Sequence, residues 1–257
     1  MYHIDVKETT EQLIQWIRDY FDVNAPEGKA VIGISGGKDS TVVAALLVKA
    51  LTNQRVFAVL MPQDKQNDIA DSYAVCDILD IPYCEVDIGG ACTALYNAID
   101  TGYGYEQYAK DIPAIATNTP ARMRMATLYA IAATMNGRVV CTSNASEAYV
   151  GYSTKWGDGV GDFAPLRNLT TEEVCAIGIE LGLPEDLVYK TPSDGMSGLS
   201  DEDKLGFKYR DVNIILRDGG IGNLNPTSYV NIIWKHGQAE HKLNPIPMFR
   251  PNLIEGD

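Results

Sequence analysis

The chain has 257 residues, with 34 acidic against 21 basic side chains and a formal net charge of −13. That balance argues against a general nucleic-acid or membrane surface, both of which need a basic footprint, though a local basic pocket for a phosphorylated ligand stays open. Hydrophobic residues make up 46% and charged residues 21%, enough for one large domain or two small ones with a sizeable core.

The first residues, MYHIDVKETTEQL, carry charges throughout, so no signal peptide is expected, and no run approaches the roughly eighteen apolar residues of a membrane span. In residues 8–22, Leu13, Ile14, Ile17 and Phe21 share one helical face, with Thr9 or Thr10 as cap. Residues 30–34 read as a buried strand, 40–51 as a helix, and 55–61 as a strand ended by Pro62. A helix over 69–79 and a strand over 82–86 follow. Residues 119–135 form a long helix carrying Arg122 and Arg124, 137–142 a further strand, and 170–181 a helix stopped by Gly182 and Pro184. Strands alternating with helices predict a doubly wound parallel sheet covered by helices on both faces. The loops 35–40, 62–68 and 143–147 then converge beyond the carboxyl ends of the strands, where such sheets bind ligands. The polar stretches 150–165 and 191–204 read as functional or mobile loops.

Cys76, Cys84, Cys92, Cys141 and Cys175 are odd in number and form no CxxC pair. This favours buried, reduced thiols in a cytoplasmic protein over disulfides or structural zinc.

Chemistry concentrates in Ser35-Gly36-Gly37-Lys38-Asp39-Ser40, between a strand and a helix. Two glycines allow a sharp turn and close approach to a ligand. The helix that follows offers free N–H groups and a positive dipole end to a phosphate. Neither the Walker A pattern nor GxGxxG is present. A carboxylate beside a polyphosphate needs a cation between them, and Mg²⁺ takes one or two protein carboxylates plus phosphate oxygens. Asp39 fits that role. Glu147, five residues past a strand end, faces the same loop as a second ligand. Asp158 and Asp162 sit among glycines, where turn chemistry competes evenly with function. His3 and His236 read as surface residues, and Trp16, Trp156 and Trp234 as packing.

SGGKDS resembles the SGGxDS loop of the ATP pyrophosphatase (PP-loop) families, which cleave ATP between its α- and β-phosphates. Residues 142–147 (TSNASE), 151–159 (GYSTKWGDG) and 162–165 (DFAP) are similar to the "GTxNxxE…GYxTKxGDxxxDxxPL" run of ammonia-dependent NAD synthetases. Residues 118–125 (NTPARMRM) resemble their "NxxARxRM" helix, and His241-Lys242 their late HK pair. The resemblance runs from about residue 10 to 250. It implies an adenine nucleotide α-hydrolase-like fold in one domain over 1–257, without a glutaminase domain, so that free ammonia or a separate subunit supplies nitrogen. The implied reaction is amidation of deamido-NAD by ammonia, with ATP converted to AMP and pyrophosphate through an acyl-adenylate. The resemblance places Gly33, Ile34, Ser35, Gly36, Gly37, Lys38, Asp39, Ser40, Met61, Thr142, Thr171 and Ser193 on ATP, and Asp39 and Glu147 on Mg²⁺. Arg122, Lys155, Asp162, His241 and Lys242 fall to deamido-NAD, and Asp158 to ammonia. A homodimer is implied.

Thr171 departs from the pattern, because the family carries a lysine there. Lys38 or Arg167 is the candidate replacement, and Thr171→Lys is expected to tighten ATP binding if position 171 lies at the phosphates. The alternatives are another PP-loop enzyme, such as one that modifies tRNA, and a non-catalytic nucleotide-binding regulator.

Overall fold

A computed structural model describes residues 3–64, 69–103, 108–190, 200–219, 224–249 and 251. Helix α1, Val6–Asn24, starts earlier than the sequence suggests because Asp5 caps it, its side chain accepting from the Glu8 N–H. The Thr10 hydroxyl is spent on the Val6 carbonyl instead. Strand β1 (Ala30–Gly33) leads through the glycine loop into α2 (Lys38–Leu51). Then come β2 (Val56–Leu60), α3 (Ile69–Leu79), β3 (Tyr83–Glu85) and α4 (Gly89–Tyr103). The long α5 spans Pro113–Thr134, followed by β4 (Arg138–Val139) and the short α6 (Ala145–Tyr149). The remaining helices are α7 (Thr171–Glu180), α8 (Glu185–Val188), α9 (Asp201–Leu205), α10 (Tyr209–Asp218) and α11 (Pro226–Leu243).

The four strands pair in the order β3-β2-β1-β4, all parallel. Side chains alternate faces along a strand, and the alternation here feeds two cores. Ile32, Ala58 and Leu60 point to the face covered by α1, α2 and α7, among Ile17, Phe21, Leu46, Leu47 and Ile177. Val31, Val59 and Val139 point to the other, against Ile88, Cys92 and Tyr96 of the α4–α5 side. Two covered faces are what the doubly wound reading requires. A third apolar cluster, with Val150, Phe207, Val212 and Ile232, joins α10 and α11 to the loop after α6.

Helix α5 begins at Pro113, six residues ahead of the expected 119, and carries Pro120 in its interior. A proline in an apolar run reads as a first-turn residue, and here Pro113 takes that position. β4 is shorter than expected because only two of its residues pair with β1. Beyond them the chain pairs outward, with a Val140–Phe163 bridge. All five cysteines are free, and Cys84 and Cys175 are only half-buried. Trp156 and Trp234 are more than half exposed and correct the packing expectation, whereas Trp16 keeps its ring against Tyr20 and Phe163. His236 is no bare surface residue: its ring stacks on Tyr149 and its Nδ1 meets the Tyr149 carbonyl. Among the described residues no helix is long and apolar enough to cross a membrane.

Candidate active site

The loop after β1 is braced from within. Ser40 Oγ takes the Ser35 N–H and reaches the Gly37 carbonyl, and the Ser35 hydroxyl takes the Gly37 N–H. Gly36 turns the chain at φ +73°, and a Cβ there would lie 2.7 Å from Asp71 Cβ. Both the left-handed conformation and the space demand glycine. Gly36→Ala is therefore expected to cost about 2 kcal/mol or more in stability and to weaken ATP binding. Thermal melting and ATP titration check this, and a variant with parental values for both would refute it. Gly33 and Met61 sit side by side at the ends of β1 and β2, where a Cβ on Gly33 would meet Met61 Cε at 3.0 Å. Ile34 is buried, and its N–H donates to the Val59 carbonyl.

The loops after β1 and β4 meet through Asn144, which is fully buried. Its Oδ1 caps α6 by accepting the Glu147 N–H at 3.0 Å, and its Nδ2 donates to Asp39 Oδ1 at 3.0 Å. One amide thus ties the Asp39 carboxylate to the backbone start of α6, while the Glu147 carboxylate accepts the Asn144 backbone N–H. Sequence reasoning gave Asn144 no role, although Asn-x-x-Glu is a capping-box signature. Burial and the neighbouring Asp39 charge push the Glu147 carboxyl up to about 8, against the pull of Lys38. Lys38 itself is buried and donates to Asp39 Oδ2 at 2.7 Å.

A divalent ion fits this donor set. Among the described residues no group of three or more His, Cys, Asp or Glu could hold a metal. Two close carboxylates under mutual repulsion match an ion that keeps its other positions for phosphate and water. Thr142, two residues before Asn144, is half-buried.

A second set of residues gathers on the loop after α6. Lys242 Nζ reaches back from α11 to the Gly151 and Ser153 carbonyls, and Lys155 Nζ donates to the His241 carbonyl. Arg122 Nε donates to the Lys155 carbonyl. Asp158 Oδ1 takes the Thr154 N–H at 2.7 Å. Asp158 is surface-accessible, yet the atoms crowding its carboxyl hold it above the usual range despite Lys242 and Arg124 nearby. Arg124, passed over in favour of Arg122, is more deeply set and donates to the Met61 carbonyl. The two are on successive faces of α5, and both reach the site. A cavity of about 380 Å³ opens beside Arg122, lined by Leu95, Ile99, Ile115, Asn118 and Met123.

Two of the expected site residues have their side chains tied to neighbours in the fold. The Asp162 carboxylate is tied to the Val139 N–H and the Tyr129 hydroxyl, toward the start of β4. Thr171 is buried in a neutral network: its N–H donates to Ser146 Oγ, and its Oγ1 accepts from Asn213 Nδ2. Its hydroxyl is spent there rather than turned to the Asp39 loop. Ser193 lies outside the described residues.

Comparison with known proteins places this geometry. The NAD synthase family model matches residues 9–244. An NH3-dependent NAD+ synthetase of Carboxydothermus hydrogenoformans is 33% identical over 246 residues, covering 95% of this chain and 99% of the relative. The structure of an NMN synthetase from Francisella tularensis matches with a TM-score of 0.85 and 33% identity, covering 98% and 100% of the two chains. An NH3-dependent NAD synthetase structure from Campylobacter jejuni matches at 0.73 and 27%, with the same coverage.

Proposed function

From the premise that this chain belongs to the NAD synthase family and is an ammonia-dependent ligase of NAD synthesis, we propose that the Asp39–Asn144–Glu147 junction binds ATP with Mg²⁺ and activates a nucleotide carboxylate. The observation that carries this reading is the single Asn144 amide joining the Asp39 carboxylate to the Glu147 backbone N–H at the mouth of the glycine loop. The N–H groups of the first turn of α2 face the polyphosphate. Asp39 and Glu147 would hold the ion, which when bound would supply positive charge against the polyphosphate.

Arg122, Arg124, Lys155 and Lys242 present cations on the opposite side, suited to the carboxylate and phosphates of deamido-NAD. The cavity beside Arg122 offers an apolar seat for a flat ring. A carboxylate oxygen attacks the α-phosphorus of ATP, and pyrophosphate leaves with the bonding pair. Ammonia then attacks the acyl carbon, AMP departs, and the nitrogen sheds a proton. Asp158, with its carboxyl held high, is placed to accept the proton of an ammonium ion.

A second reading has its own support. The match at TM-score 0.85 is to an NMN synthetase, which points to nicotinic acid mononucleotide as the carboxylate substrate. The test is one incubation with ATP, Mg²⁺ and ammonium, run in parallel with deamido-NAD and with the mononucleotide. An amide product with equimolar AMP and pyrophosphate is expected, and the ratio of kcat/KM values decides between the substrates. ADP and free phosphate as stoichiometric products would refute cleavage between the α- and β-phosphates. No amide from either substrate would sink the assignment of the site. We include a homodimer in this reading, formed over the α4–α5 side where Leu95, Tyr103 and Tyr108 are exposed; a monomeric mass by sedimentation would remove it.

A further inference from the structure

Lys38 is an unexpected residue for its place. It is 6% exposed, at the first position of α2. A cation at a helix N-terminus opposes the dipole, and a buried ammonium loses its hydration. Of the three donors of an ammonium, one is used on Asp39 Oδ2 among the described residues. The head lies within electrostatic reach of Asp39, Glu147 and Cys175 of α7. A charged group with two uncommitted donors, set at considerable cost into the wall of a phosphate loop, has a task beyond packing.

We propose that Lys38 is the resident cation of the Asp39–Glu147 pair, competing with the divalent ion for the Asp39 oxygens and contributing the polyphosphate contact that selects a nucleoside triphosphate over a monophosphate. The proposal rests on the reading of this loop as the ATP site. It makes two demands. A divalent ion entering without nucleotide must displace the ammonium from Asp39. The ammonium, with its free donors, must favour ligands that carry β- and γ-phosphates, even without metal.

The test compares the parent with Lys38→Met, which keeps an unbranched stem and loses the charge. Free Mn²⁺ is measured by electron paramagnetic resonance without nucleotide, and ATP and AMP binding by calorimetry in EDTA. Lys38→Met is expected to bind Mn²⁺ more tightly and to lose about tenfold of its preference for ATP over AMP, the effect of one charge-assisted contact. A purely structural ion pair would alter the melting temperature and leave that ratio alone. Unchanged or weaker Mn²⁺ binding overturns the resident-cation role, and an unchanged ATP-to-AMP ratio overturns the polyphosphate contact. If Lys38→Met does not fold, Lys38→Arg takes its place: the charge is kept, and a parental ATP-to-AMP ratio is required. A parent chain that binds no ATP, even with Mg²⁺, fails the underlying site assignment instead.

Discussion

Glu147→Gln is expected to abolish amide formation and yet to raise the melting temperature of the ligand-free protein. Both effects come from one carboxyl. Its ionised form is disfavoured by burial first and then by Asp39. The ordinary glutamate value is 4.5, and the folded value is about 8. The folded state therefore holds a proton that the unfolded chain releases, so stability falls as pH rises from about 4.5 through about 8 and then levels. That interval corresponds to a ceiling of about 5 kcal/mol. Partial access to solvent and the screening charge of Lys38 leave about 2 kcal/mol, or roughly 4–8 °C for a chain of this size. Glutamine cannot ionise, and its amide oxygen can still accept the Asn144 N–H. The gain should vanish below pH 4.5 and be full above pH 8. Melting curves in EDTA from pH 4 to 9, with an assay at saturating Mg²⁺, check it. A lower melting temperature at pH 8 would contradict the electrostatic account, and parental turnover would remove Glu147 from the metal site. Asp39→Asn should be equally inactive.

Thr171→Lys should be strongly destabilising, the reverse of what the family pattern suggests. The side chain it replaces is 7% exposed. Ser146, Thr171 and Asn213 satisfy one another with no charge among them, and Ser146 donates to Asn213 Oδ1 at 2.5 Å. Lysine removes the acceptor of the Asn213 amide and brings an ammonium into the space between α6, α7 and α10. An unsatisfied buried donor and a misplaced charge together cost about 3–5 kcal/mol. Because α6 also carries Glu147, turnover should fall with stability. A folded variant with parental melting temperature and a lower Michaelis constant for ATP would show that position 171 can reach the phosphates.

The frame was legible because alternation along Val31–Ile32 and Val59–Leu60 is short-range, and because each strand ends in a glycine, a proline or a polar turn. The junction was legible because SGGKDS combines turn, helix start and carboxylate within six residues. What sequence missed depends on distance. α4 hides among small residues and three glycines, and α10 and α11 show their meaning only where they cover Val150 and the loop after α6. Asn144 looked like part of a motif, and its two-sided grip needs a partner 105 positions away. Thr171 and Asp162 sat at the expected points in the chain, but their side chains are engaged by Asn213 and by Val139. Position in a motif fixes the backbone; the hydroxyl or carboxylate follows whichever neighbour the third dimension supplies.

The attachment of Asp162 to β4 has a further effect. Its carboxylate takes the Val139 N–H, its own N–H donates to the Val139 carbonyl, and the Cys141 N–H reaches the Phe163 carbonyl. The outer rim of the sheet on that side is thereby sealed by its own chain. A bare strand margin invites templated growth by foreign strands, and here a side chain and a three-residue patch remove the template. A second copy could not extend the sheet there and would have to meet this one through helices. Asp162→Ala would leave both backbone bonds and bare only the Val139 N–H, so it is expected to speed amide hydrogen exchange at Val139 without opening the whole rim; exchange at the parental rate would refute the seal.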